Sequence, residues 1–201
     1  MPRTKEQFEA MRKETREKIQ SAAMQLFVKK GFGSANVQEI ADLAGISIGL
    51  LYRHYKTKED LFLELVEYAL AGMGKIVELF ESDDSPKELI NQFVNEVYND
   101  MVSGEELANL LILMKQFVSR GEADWNQNKV ARQNDRLLKA TVKLINKGQE
   151  LGEFRSGDSF EMALFFFSAV QGLAEMKVIL QNNFVMPSPV ILTAFLYKEG
   201  E

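Results

Sequence analysis

Apolar and polar positions recur with the period of an α-helix along most of this chain. Ile19, Ala22, Ala23, Leu26 and Phe27 follow one another at i, i+3, i+4, i+7 and i+8. Thr4 and Gln7 have capping-box spacing ahead of that stripe, and Gly31 ends it. Arg3 and Lys5 lie ahead of it, near an end expected to fray. Val37, Ile40, Ala41 and Ala44 then repeat the helical spacing in a shorter element. Asn36 can cap it, with Glu39 three residues on. Gly45 follows at once, and Ser47 can cap a second short helix over Ile48 to Tyr55. From Thr57 a longer helix carries Leu61, Phe62, Leu65, Val66, Ala69, Leu70, Met73, Val77 and Phe80.

Beyond Ser82-Asp83-Asp84-Ser85 the helices announce themselves through caps. Ser85-Pro86-Lys87-Glu88 has a cap, proline at the first helical position and Glu at the third. Ser103-Gly104-Glu105-Glu106 predicts the next start, from Ser103. Asp124 starts a long helix through Leu137, Leu138, Thr141, Val142, Leu144 and Ile145, with Gly152 as its stop. Asp158 starts another that runs to about Gln181, and Ser188-Pro189 opens a short last one. No stretch joins period-two alternation to hairpin turn signals. The pattern predicts an all-α protein of about nine helices, four at the N-terminal end and five beyond. The division falls near Lys75, giving residues 1–75 and 76–201.

The two short helices carry the first functional signal. A pair joined by a tight turn containing Gly is the helix-turn-helix that places its second helix in a major groove. The candidate DNA contacts are Asn36, Gln38, Ser47, Ile48, Gly49, Leu50, Tyr52, Arg53, His54 and Lys58. Ser47, Ile48 and Gly49 open the second helix, where base edges are approached. Ile48 and Leu50 can meet a thymine methyl. Tyr52, Arg53, His54 and Lys58 can donate to phosphates or bases. The same spacing also describes an ordinary αα-hairpin.

Charge sharpens the picture a little. The chain carries a net charge of −5, but residues 1–60 hold +3 and the remainder −8. That split suits nucleic-acid binding confined to one end. With 201 residues and 46% hydrophobic residues the chain can bury a sizeable core. It has no cysteine, which suits a reducing, cytoplasmic setting. The start lacks the apolar stretch of a signal peptide. The longest apolar run, Met162 to Phe167, is far short of the ~20 residues a membrane span needs, so no membrane partner is expected.

The stretch Lys29 to Leu61 closely resembles the TetR family of bacterial transcription regulators. The likeness rests on Gly31-Phe32, Ile40-Ala41, Ala44-Gly45, Ser47, Gly49, Tyr52, Tyr55, Lys58 and Leu61 in register. It covers about the first third of the chain. Ala35-Asn36 departs from the family, which usually has Thr or Ser there, and Tyr55 stands where Phe is commoner. The resemblance implies an N-terminal three-helix DNA-binding domain joined to a C-terminal helical ligand-binding and dimerisation domain. It further implies a palindromic operator, a homodimer built on the last two long helices, and a pocket for a hydrophobic or aromatic small molecule.

Candidates for that pocket are Phe93, Val97, Met101, Met114, Phe117, Trp125, Phe166 and Val170. Methionines and aromatics adapt to varied apolar ligands, although a filled core uses the same residues. Trp125, beside Asp124 in a hinge between helices, stands either at the pocket mouth or exposed at a helix start. Phe160, Leu164, Phe165, Gly172, Met176 and Leu180 cover more than one side of their helix, which predicts a core face and a dimer face.

Catalysis has little to stand on. One His and no Cys leave no thiol–imidazole pair and no metal cluster, and His54 lacks a G-x-S-x-G partner. Glu96 and Asp100, four apart, read as a solvated face. No enzyme activity, metal or cofactor is expected. Two other readings stay open: a ligand-free regulator of the same shape, and a helical binding protein or enzyme that uses the hairpin only structurally.

Overall fold

The computed structural model describes residues 4–120 and 125–197, with residues 125–127 described by backbone alone. Nine α-helices and no strand occur among the described residues. They are α1 (Lys5–Lys30), α2 (Val37–Leu43), α3 (Ile48–His54), α4 (Lys58–Phe80), α5 (Pro86–Ser103), α6 (Glu106–Ser119), α7 (Trp125–Glu150), α8 (Ser159–Leu180) and α9 (Pro189–Thr193). Short 3₁₀ turns follow α8 at Gln181–Asn183 and α9 at Ala194–Leu196.

The N-terminal caps form as their spacing dictates. Thr4, Asn36 and Thr57 each accept from a backbone N–H three residues on, and Gln7, Glu39 and Asp60 reach back. Ser47, Ser85 and Asp158 cap α3, α5 and α8. Helix α1 is regular from Lys5, so that residue belongs to a capped helix rather than to a frayed end. Gly31, at φ 81°, and Gly45, at φ 66°, take backbone conformations that a Cβ would oppose.

One cap differs. Ser103 is the last residue of α5, and its hydroxyl donates back to the Asn99 carbonyl. Helix α6 starts at Glu106 without a side-chain bond from its N-cap, Glu105. Asp100 serves instead: its Oδ2 accepts from the Leu107 N–H at 3.0 Å. Helical geometry at Ser103 keeps its side chain on the preceding turn, while Asp100 faces the start of α6.

Two apolar cores lie along α4. Leu61, Phe62, Leu65, Val66 and Leu70 join Ile19, Phe27, Ile40 and Leu51 in the first. Val77 and Phe80 join Leu89, Phe93, Leu144 and Phe166 in the second. Met73 packs against both. Leu113, Phe117 and Val130 reach from α6 and α7 into the first core. Rings of Phe27, Phe32, Phe62 and Phe117 stack there at centroid distances of 4.7–6.2 Å.

Helix α8 buries Met162, Ala163, Phe166, Val170 and Ala174 against α6 and α7. Its opposite side leaves Phe160, Leu164, Phe165, Met176 and Ile179 exposed. With its following turn, Ser159–Asn183, it is long and apolar enough to cross a membrane, a length the apolar-run count does not register because polar residues interrupt it.

Candidate nucleic-acid interface and ligand cavity

Helix α3 is anchored by two side chains and displays the rest. Leu51 and Tyr55 are buried at 2% and 3% exposure. Ser47, Ile48, Gly49, Tyr52 and Arg53 are exposed, and Leu50 and His54 are half-buried. The spacing explains the split: Leu51 and Tyr55 are four apart on one face, and Ile48 and Tyr52 are four apart on the neighbouring one. On α2, Asn36 is committed to its cap, and Gln38 donates to Asp42 Oδ1 at 2.7 Å.

Lys58 is turned inward. Its Nζ donates to the carbonyls of Phe32 and Ala35 at 2.7 Å each and lies 4.4 Å from the Phe32 ring centroid. The ammonium therefore ties the α1–α2 turn to the start of α4 instead of standing out towards a phosphate. Lys56, in the turn after α3, is exposed, and sequence reasoning passes over it.

A polar hub behind α3 also escapes the sequence. Glu64 of α4 accepts from Arg16 Nε at 2.8 Å and from Tyr55 Oη at 3.1 Å, and also from Arg16 Nη2 and Gln20 Nε2. It joins α1, the end of α3 and α4 through one carboxylate. Burial, then the Glu64 charge, pushes the Tyr55 phenol up to about 12. The hydroxyl that distinguishes Tyr55 from Phe thus has a fixed partner. The one available signal was an acid sitting between Leu61 and Leu65 on an apolar helix. His54 is held below its ordinary pKa, mainly by burial and then by Arg12 and Arg16.

Between α4, α5, α6, α7 and α8 lies a cavity of about 670 Å³, within the usual range for small-molecule sites. Phe93, Met114 and Val170 line it, together with Met73, Leu111 and Phe167. Val97, Phe117 and Phe166 are fully packed core residues away from it. Met101 is buried too, and borders a different cleft between α1 and the end of α8. The Trp125 side chain and Asp124 lie outside the described residues. Gly72, Lys115, Gln171 and Glu175, which sequence reasoning does not single out, stand on the cavity wall. No group of three or more metal-ligating side chains occurs among the described residues.

The helix pair has known counterparts. A family model for bacterial regulatory proteins of the tetR family matches residues 19–65, the segment from α1 through most of the first core. Residues 19–65 thus match the N-terminal domain of TetR-family regulators. It is 29% identical over 144 residues to YerO, an uncharacterized HTH-type transcriptional regulator of Bacillus subtilis. That match covers 70% of this chain and 50% of YerO, so the chain spans about half the length of that relative. It is 26% identical over 188 residues to the HTH-type transcriptional regulator TtgR of Pseudomonas putida, covering 90% of this chain and 86% of TtgR. Among solved structures it is similar to the TetR family transcriptional regulator PfmR of Thermus thermophilus, at 25% identity and TM-score 0.68, covering 88% and 93% of the two chains. The TetR likeness thus extends from the helix-turn-helix through the C-terminal helices.

Proposed function

We propose that this chain is a one-component transcription regulator, a repressor that holds a palindromic operator as a homodimer and releases it when an apolar small molecule binds. It acts in the cytoplasm and catalyses no reaction. The observation that carries the reading is the split of α3, with Leu51 and Tyr55 buried and Ser47, Ile48, Gly49, Tyr52 and Arg53 exposed together. Such a helix is held rigidly while its outer face stays available to a major groove. The exposed apolar side of α8, from Phe160 to Ile179, supports pairing with a second copy, because so wide an apolar face seldom remains open to water.

Helix α6 supports the link between ligand and operator. Leu111, Met114 and Lys115 face the cavity. From the same helix Gln116 donates to the Phe27 carbonyl at 2.9 Å, and Phe117 packs on Phe62. A ligand that shifts α6 therefore pulls on α1 and α4, which carry α3. The effect is reciprocal: what weakens operator binding must bind the operator-free form more tightly.

The test is selection of genomic fragments by the protein, followed by mobility-shift titration. A selected fragment with two inverted half-sites, bound by a dimer, is expected. Failure to retain any fragment above non-specific binding at physiological salt overturns the reading.

A further inference from the structure

We propose that the apolar cavity takes an organic cation with an apolar body, and that Glu175 is its counterion; this rests on the ligand-gated reading above. Lys115 and Glu175 are the charged side chains on the cavity wall. They form a pair at 2.8 Å that crosses from α6 to α8. The two partners are not equivalent. The Lys115 side chain is 57% exposed and that of Glu175 34%. Gln171, one turn before Glu175 on α8, also directs its Nε2 at the same carboxylate oxygen, at 3.5 Å.

That asymmetry sets the sign of the preferred ligand. Lys115 has a long flexible stem and can swing its ammonium into water while keeping it solvated. A ligand cation can therefore take its place beside Glu175 at small cost. A ligand anion seeking Lys115 would instead sit beside the Glu175 carboxylate, whose shorter stem holds it at the cavity wall, and the two like charges would repel. The Glu175 carboxyl is held below its ordinary pKa, first by the Lys115 hydrogen bond and then by Gln171, so it is ionised at neutral pH. The rest of the wall also suits a cation. Phe93 and Phe167 offer ring faces, and Met73 and Met114 offer polarisable sulfur.

Such a ligand would also sever the α6–α8 pair. The helix freed from Glu175 is the one that grips the first core through Gln116 and Phe117. Charge recognition and release of the DNA-binding helices would then share one event.

The test uses the full chain without DNA, at low ionic strength, and two near-isosteric ions of opposite sign. Tetraphenylphosphonium and tetraphenylborate are titrated by equilibrium dialysis against wild type, Glu175→Gln and Lys115→Met. The cation is expected to bind at least tenfold more tightly than the anion. Glu175→Gln should bring the two within about threefold, and Lys115→Met should bind the cation at least as tightly as wild type. An anion that binds as well as the cation overturns the proposal. So does a preference that survives Glu175→Gln, or binding of neither ion.

A neutral probe separates that failure from failure of the underlying reading. N-phenyl-1-naphthylamine should show saturable emission that Gly72→Phe, or Met114→Phe, abolishes in a folded chain. A Cβ at Gly72 meets nothing within 4 Å, so its side chain has room to enter the cavity. If this probe binds while the ions do not, the cavity reading stands without the charge preference. If it does not bind either, both fall.

Discussion

Arg120 Nη2 donates to Glu59 Oε2 at 3.0 Å, joining the end of α6 to the first turn of α4. The same guanidinium lies 4.1 Å from the Phe32 ring centroid and 5.3 Å from that of Phe62. Lys58 lies near the Phe32 ring as well. One side chain at the C-terminal end of a cavity-lining helix therefore touches the α1–α2 turn and the helix after α3. A partly exposed ion pair with two ring contacts is worth about 1–2 kcal/mol in all. Arg120→Ala should lower stability by that order in a urea titration. Its larger effect should be on coupling: ligand affinity is retained, while the loss of operator affinity caused by ligand shrinks several-fold. An unchanged ligand response would remove Arg120 from the route. A double-mutant cycle with Glu59→Gln isolates the pair from the ring contacts.

Lys58 offers a sharp choice between two roles. An outward ammonium would neutralise one phosphate, and its removal would make the salt slope of DNA binding shallower by about 0.9. The observed bonds to Phe32 and Ala35 carbonyls give it another task. Lys58→Met should therefore cost about 1–3 kcal/mol of stability, the usual range for leaving two partly buried acceptors unpaired. Its salt slope should stay close to that of wild type. Arg53→Ala, by contrast, should leave stability alone and reduce the slope by about one phosphate. A shallower slope for Lys58→Met would restore the phosphate role.

The fold was legible because its signals are local. Capping boxes, glycine stops and 3.6-residue stripes depend on residues within one or two turns of each other, and they give nine helices with few boundary errors. The failure at Ser103 has a tertiary cause: the N–H of Leu107 is satisfied by Asp100, seven residues earlier, across a helix–helix corner. The anchored and displayed faces of α3 follow from the positions of Leu51 and Tyr55. Which way Lys58 points does not, because either a phosphate or a turn of carbonyls suits an ammonium. The cavity was least legible. Phe93 lines it and Phe166 does not, yet both sit in the same core, their rings 5.8 Å apart. Only the packing of five helices decides where space is left.

His54 gives a pH dependence with a defined sign. Its folded pKa lies below the ordinary value near 6.5, so between the two the unfolded chain binds more protons than the folded one. The stabilisation from this group is complete above about 6.5 and is lost as pH falls through the folded value. Glu39, held down by Lys30, acts at lower pH, in the carboxylate range. Unfolding free energy measured at pH 7 and pH 5.5 should therefore fall more in wild type than in His54→Gln. An equal fall in both would mean that His54 is not the source. The imidazole is the only one in the chain, so its proton resonance can be followed directly.

Two glycines in helices should respond oppositely to alanine. A Cβ at Gly148 of α7 would overlap the Phe154 ring, whose side chain is buried in the turn that follows. Gly148→Ala should destabilise by about 1–3 kcal/mol, through overpacking. Gly72 of α4 has open space, so Gly72→Ala should stabilise by roughly 0.5–1 kcal/mol from helix propensity alone. Thermal melts of the two variants, run side by side, check the pair: a raised midpoint for Gly148→Ala would contradict the packing around it, and a lowered one for Gly72→Ala would contradict the open space there.

The last prediction concerns the exposed side of α8. Phe160 and Phe165 stand more than half exposed, and Ile179 reaches 65%. Burying one such side chain is worth about 1.5–3 kcal/mol, and a two-fold interface buries each of them twice. Charge placed there should repel its own copy across the axis. Phe165→Glu should therefore weaken self-association by at least a hundredfold in sedimentation, about 2.7 kcal/mol. The same residue packs against Phe195, with ring centroids 5.0 Å apart, so its loss also removes an intramolecular contact. Ile179→Glu is the cleaner variant, since most of its side chain stands in water. Both variants should keep a wild-type helical spectrum. Operator binding should fall steeply, because each recognition helix would then hold its half-site alone. A monomeric variant with undiminished operator affinity would show that the two half-sites are not read by a preformed pair.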